Sequence, residues 1–157
     1  MSDQLVVNAN HNGMAYPVVT ARHVNQTAWL VDALLCEQGP TETWFTIEGQ
    51  PTRWMRTGYH GEYGAALFVD ETVAPYDWSW AALNPEPLTD PPTIYYDRDG
   101  ETIFPSACVM PLARLRAVIL EWVRVGQRPT SVDWMPINAL AWEPTDDGRV
   151  HVPNPAH

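Results

Sequence analysis

The sequence predicts an α+β domain: a mostly antiparallel β-sheet, laid out as a meander, with two α-helices packed against it. Three observations predict it. Two stretches carry apolar residues at helical spacing and end at glycine, short β-prone runs bounded by Gly, Pro or Asp occupy most of the remainder, and the order of these segments is ββ, α, a run of β, α, β. The chain has 157 residues, 45% of them hydrophobic, enough for one domain to bury a core without a disulfide or metal staple. Residues 1–142 are expected to form that single domain and residues 143–157, proline-rich with the acidic pair Asp146 and Asp147, a loose tail.

Taken in order, Leu5 to Val7 and Met14 to Thr20 flank the polar cluster Asn8 to Gly13, a composition suited to a turn between two strands. Thr20 then caps a helix expected from about Ala21 to Glu37, stopped by Gly39-Pro40. Its stripe is Val24, Ala28, Val31, Leu34 and Leu35; Trp29 projects opposite, and is expected either to pack under a neighbouring loop or to stand as an exposed aromatic anchor. Strand-like runs follow at Thr43 to Glu48, Thr52 to Thr57, Ala65 to Asp70 and Thr93 to Tyr96. Between the last two, Pro75, Pro85, Pro87, Pro91 and Pro92 cut Glu71 to Pro92 into a semi-rigid loop with a short strand around Trp78 to Ala81. Asp97 to Gly100 forms a hairpin turn into Glu101 to Phe104. A second helix opens with Pro111 in its first position and stops at Gly126, burying Leu112, Leu115, Val118, Ile119, Trp122 and Val123. Ser131 to Trp134 and Ile137 to Trp142 close the sheet as strands.

Composition removes several classes of function. Nineteen acidic residues stand against nine basic ones, a formal charge of −10. Such a field repels nucleic acid and anionic membranes and draws in a basic partner. All the basic residues are arginine, so a Schiff-base, P-loop or Ser–Lys mechanism has no lysine to use. The start of the chain is acidic and lacks the positive charge of a targeting segment, and no apolar run approaches a membrane span. With two cysteines and no CxxC pair, a reduced, cytoplasmic setting is expected.

Catalytic motifs are fragmentary. His60-Gly61-Glu62 matches the H-x-E half of a zinc deaminase signature, but Cys108 has no partner cysteine three residues on, so two thiolate ligands are missing and a surface hairpin is the better reading. Neither Cys36 nor Cys108 is spaced to pair with a histidine base. Asp97-x-Asp99-Gly100 lacks the distal glutamate of a calcium loop. No cofactor and no metal are expected, and no enzymatic activity. The competing expectation is a small α+β enzyme or ligand-binding domain, with a carboxylate-lined pocket under the Glu71 to Pro92 loop.

What stands out is eight tryptophans in so acidic a chain. Asp70, Glu71, Tyr76, Asp77, Trp78 and Trp80 cluster along one segment, and Tyr95, Asp97, Asp99 and Glu101 fall on the next hairpin. Aromatic anchors supply contact area at low entropic cost, and carboxylates around them orient and speed association. The expected partner-binding residues are therefore Asp70, Glu71, Asp77, Trp78, Trp80, Tyr95, Asp97, Asp99 and Glu101, with the alternative that Trp78 or Trp80 closes the core.

The C-terminal half carries a resemblance. Tyr95-Tyr96 through Phe104-Pro105, Met110-Pro111 opening a helix that ends Val125-Gly126-Gln127-Arg128-Pro129, and then Ser131-Val132-Asp133-Trp134 are similar to the first-numbered immunity-protein family of bacterial polymorphic toxin systems. Val18 to Leu35, ending Val31-Asp32-Ala33-Leu34-Leu35, resembles that family's strand and helix. The resemblance covers roughly residues 14 to 134. It implies an inhibitor that binds a cognate toxin, among such toxins deaminases acting on nucleic acid. The partner is then expected to be a basic protein toxin, bound without direct nucleic-acid or membrane contact by a chain that is monomeric when free. Arg128-Pro129 and Trp134 are expected to be folding determinants and not contacts.

Overall fold

Strand alternation explains the centre of the molecule. In β3 (Thr41–Ile47) Thr41, Thr43, Phe45 and Ile47 are buried and the residues between them are not, the period of a strand with one face on a core. β4 (Arg53–His60) and β5 (Tyr63–Asp70) pair antiparallel over their full lengths, from Arg53↔Asp70 to His60↔Tyr63, around a Gly61-Glu62 turn. Residues Ala65 to Val69 are all buried, because this strand is covered on both faces.

The computed structural model describes residues 7–11, 19–21, 24–36, 41–72, 79–97, 102–137, 143–144 and 150–151. β1 (Val7–His11) pairs with both β2 (Val19–Ala21) and β3. The expected turn at Asn8 to Gly13 is thus corrected over Asn8 to His11: these residues continue a strand, with Ala9 buried in the core. β6 (Ser79–Ala82) lies beside β5, and β10 (Trp134–Ile137) beside β6, giving the order β10-β6-β5-β4-β3-β1-β2. β10, with the exposed Pro136, is a rim strand of this sheet. β9 (Met110–Pro111) adds a short pairing to β5 at Tyr63 and Gly64. The predicted meander therefore holds through β3, β4 and β5, but β6 and not Thr93 to Tyr96 comes next. β7 (Tyr95–Asp97) joins a second sheet of order β11-β12-β8-β7, with β8 (Thr102–Ile103), β11 (Glu143–Pro144) and β12 (Val150–His151). Glu143–Pro144 and Val150–His151 belong to the segment expected as tail; β12 pairs with β8 in parallel.

Both helices lie on one face of the main sheet. α1 (Val24–Leu35) starts later than expected because Thr20 and Ala21 are used by β2. It buries Leu30, Val31 and Leu35, and the Tyr59 hydroxyl donates to the Leu34 carbonyl at 2.7 Å, tying it to β4. α2 (Leu112–Val125) buries the predicted stripe, with Leu112 only partly covered. Pro111 sits just outside the helix, in extended conformation (φ −59°, ψ 147°). The Leu112 N–H, free at a helix start, donates to the Glu62 carbonyl in the β4–β5 turn at 3.0 Å. Gly126 ends the helix in the left-handed region, φ 74°, its N–H bonded to the Trp122 carbonyl, a conformation other residues adopt only at a cost.

The opposite face of the sheet carries a second core, where Ala65, Leu67, Val69, Ala81, Met135 and Ile137 meet Ile94, Phe104, Cys108 and Val109. Residues 83–97 and 102–110 cross this face. Asn84 pins them: its backbone N–H donates to Ala107, its Nδ2 to the Val109 carbonyl, and its Oδ1 accepts from Glu86. At the crossing, β7 approaches β4 so closely that only a glycine, Gly58, fits beneath the Tyr95 carbonyl. Ser131 to Asp133, expected as strand, forms the bend into β10 instead; of the run Ile137 to Trp142 only Ile137 lies within the described residues. No helix of the described residues is long and apolar enough to cross a membrane.

Candidate partner-binding surface

The expected contact residues divide between the two faces of the main sheet. Asp70, Glu71 and Trp80 gather where β5 hands over to β6. Asp70 ends β5, and its carboxylate accepts from Arg53 Nε at 3.1 Å and from Thr72 N and Oγ1 at 3.0 and 2.5 Å. Burial opposes its charge, but the Thr72 and Arg53 hydrogen bonds and the Arg53 charge outweigh this and hold the carboxyl below its ordinary value. Glu71 is exposed beside it, its N–H bonded to Thr52. Trp80 is half-buried: its ring lies 6.2 Å from that of Phe68, and the Arg128 guanidinium sits 4.5 Å above it. This indole covers the edge of the helix-side core, the alternative weighed for it above. Asp77, Trp78, Asp99 and Glu101 lie outside the described residues. Tyr95 and Asp97 lie on β7, in the second sheet and across the main sheet from Trp80.

Beside Asp70 a cleft of about 670 Å³ opens between the ends of β4 to β6 and the α2–β10 connection, walled by Arg53, Asp70, Trp80, Arg128, Asp133 and Trp134. The resemblance-bearing segment builds one side of it. Pro129 is buried and its carbonyl accepts from Trp134 Nε1 at 2.7 Å, while Trp134 stands edge-on to Phe68. Glu121 reaches from α2 to the Thr130 N–H at 3.1 Å; burial opposes its charge, yet hydrogen bonds from Ser131 and Thr130 hold its carboxyl low. Pro129 and Trp134 are thus built into the fold as expected, whereas Arg128 is exposed and rests on Trp80 alone among the described residues.

An enzyme of the competing kind would use a carboxyl pushed up by burial as its acid. Asp70 and Glu121 both move the other way and stay ionised. Burial pushes the Cys108 thiol up to about 12, and its Sγ lies 3.6 Å from Met135 Sδ, the setting of an inert core thiol. His60 ends β4 and Glu62 lies in the β4–β5 turn, both in exposed positions.

A group of residues that sequence reasoning passed over lies on the sheet face away from the helices. Trp44 on β3 stacks on Trp54 of β4, ring centroids 5.2 Å apart and 9° from parallel. Arg56, opposite Trp44 in register, places its guanidinium 4.5 Å from the Trp44 centroid and 4.2 Å from that of Tyr96. Its charge meets Glu42 at 3.4 Å, and Tyr96 in turn stands edge-on to Phe104. The stack is therefore contiguous with β7. One signal was available: Trp44 falls out of phase with Thr43, Phe45 and Ile47 and had to face away from their core. Trp29, the other off-pattern tryptophan, is 69% exposed on α1, so it does not pack under a loop.

No curated protein matches the chain. Residues 17–136 match the model of the family described as Immunity protein Imm1, a span that takes in both helices, β2 through β9 and nearly all of β10. The helix ending at Gly126, Arg128-Pro129 and the Val132-x-Trp134 pair all fall within it, and on this match the chain belongs to the Imm1 family of immunity proteins.

Proposed function

We propose that this immunity protein acts in the cytoplasm by binding a basic toxin that deaminates nucleic acid, and that it blocks the toxin's active site with carboxylates and aromatic rings and breaks no bond itself. The family match over residues 17–136 carries the reading. The charge of −10 supports a basic partner, since carboxylates set where phosphates would bind compete with a nucleic-acid substrate and speed encounter. The residues proposed to do this are Asp70, Glu71 and Trp80 at the β5–β6 corner, Tyr95 and Asp97 on β7, and Asp77, Trp78, Asp99 and Glu101, which lie outside the described residues.

The test mixes the purified chain with the toxin domain encoded by the neighbouring gene. A micromolar or tighter complex at low salt is expected, with loss of the toxin's deamination of nucleic acid; no complex under those conditions refutes the proposal. Asp97→Ala and Asp99→Ala should slow association and lessen its salt dependence, while Trp78→Ala and Trp80→Ala should speed dissociation. Rate constants unchanged in all four variants would remove these residues from the interface.

A further inference from the structure

A tryptophan on a strand normally turns its indole toward the core, where its burial is most favourable. Trp44 does the reverse. It is 39% exposed, while Thr43, Phe45 and Ile47 on the same strand take the core positions. Ile94, Phe104, Cys108 and Val109 cover the same face over β5, β6 and β10, and β7 packs on β4 and part of β3, yet on β3 Trp44 and Thr46 stay open to solvent. The ring is nevertheless fixed, stacked on Trp54 and braced by Arg56. An exposed aromatic held rigid loses little freedom on binding, the condition under which such a residue becomes an energetic anchor.

The chemistry of the occupant is indicated by three observations. The indole of Trp44 already holds one guanidinium, that of Arg56, so the surface is of a kind that accepts a planar cation. Arg56 is itself neutralised by Glu42 and buried, so it leaves no net positive charge to repel another cation. Glu48, the residue after β3, is exposed nearby in sequence, in a molecule carrying −10 overall. We infer that the Trp44–Trp54 stack is a docking surface for an arginine or lysine side chain of the toxin, held by its charge against the indole faces. This rests on the function proposed above and extends the β7–β8 part of that interface, to which Tyr96 joins the stack.

The experiment measures dissociation of the neighbouring-gene toxin domain from the full chain and from Trp44→Phe, Trp44→Leu and the exposed His60→Ala. Phenylalanine keeps a π face; leucine keeps apolar surface without one. Dissociation is expected to rise by less than about threefold for Trp44→Phe and about tenfold or more for Trp44→Leu, with His60→Ala unchanged. Equal rates for the Phe and Leu variants overturn the cation docking. A Trp44→Leu that leaves toxin dissociation alone but changes the sedimentation of the free protein overturns it too, by making this face a contact between copies of the chain. Failure of the unsubstituted chain to bind refutes the proposed function itself; normal binding with a flat Trp44 series refutes only this inference.

Discussion

Replacing Gly58 with alanine tests how the two sheets are held together. A Cβ at this position would press into the Tyr95 carbonyl oxygen and stand 3.1 Å from Ile94 Cγ2 and 3.2 Å from the Tyr95 carbonyl carbon. Ordinary contact requires β7 to retreat by on the order of 1 Å, and a gap of that size forfeits a quarter to a half of the dispersion attraction across it. The atoms affected are well packed: Ile94 and Phe104 are 1% and 3% exposed. Overpacking typically costs about 1–3 kcal/mol, and a clash with backbone, which cannot rotate aside, belongs at the upper end. For a domain of this size about 3 kcal/mol corresponds to a fall of roughly 6–12 °C in Tm. Thermal melts of Gly58→Ala beside the exposed His60→Ala, expected within about 0.5 kcal/mol of the parent, measure it. A Gly58→Ala midpoint within about 2 °C of the parent would refute the close-approach argument. Because β7 carries Tyr95 and Asp97, the same variant should also bind toxin less tightly than His60→Ala does.

Three further outcomes follow from the geometry. Trp134→Phe removes the donor to the Pro129 carbonyl and should cost about 1 kcal/mol in a thermal or urea melt; an unchanged midpoint would show that the bond contributes nothing. Asp70 is held below its ordinary value of 3.8, so its contribution is full above that value and is lost as pH falls through the lower folded one. The gap in urea midpoint between the parent chain and Asp70→Asn should be open at pH 7 and narrow as the pH falls below 3.8, and a gap independent of pH would contradict this. Of the two thiols, exposed Cys36 should react with a disulfide reagent at pH 8 and buried Cys108 should not. One equivalent is expected from the folded chain and two after denaturation.

How far the sequence could be read depended on whether each element's signal was local. The buried face of α2 and its glycine stop are set by residues within one helix, and they were legible to the residue. β3 to β5 were located by their β-prone runs but with displaced ends, as Thr43 to Glu48, Thr52 to Thr57 and Ala65 to Asp70, because the β4–β5 ladder runs on through Gly58 and Gly64, residues with little strand preference of their own. The strand through Asn8 to His11 was hidden because its pairing with β2 and β3 outweighs the turn preference of asparagine. Placing Thr93 to Tyr96 next in the meander assumed that sequence order is spatial order, whereas Asn84 anchors the chain across the sheet and sends it into a second one. The candidate surface suffered in the same way. Asp70, Glu71 and Trp80 are close in sequence and are brought together, but Trp44, Trp54, Arg56 and Tyr96 meet only through cross-strand register and the packing of one sheet on another.

The rim position of Pro136 has a consequence for assembly. A proline within an outermost strand sits with its missing donor directed outward, leaving a break in the row of amides that an incoming extended segment would need. Growth of the sheet by annexing a foreign peptide is thus discouraged along β10. On the main sheet, among the described strands, added β-structure would instead have to form at the other end, against the three residues of β2.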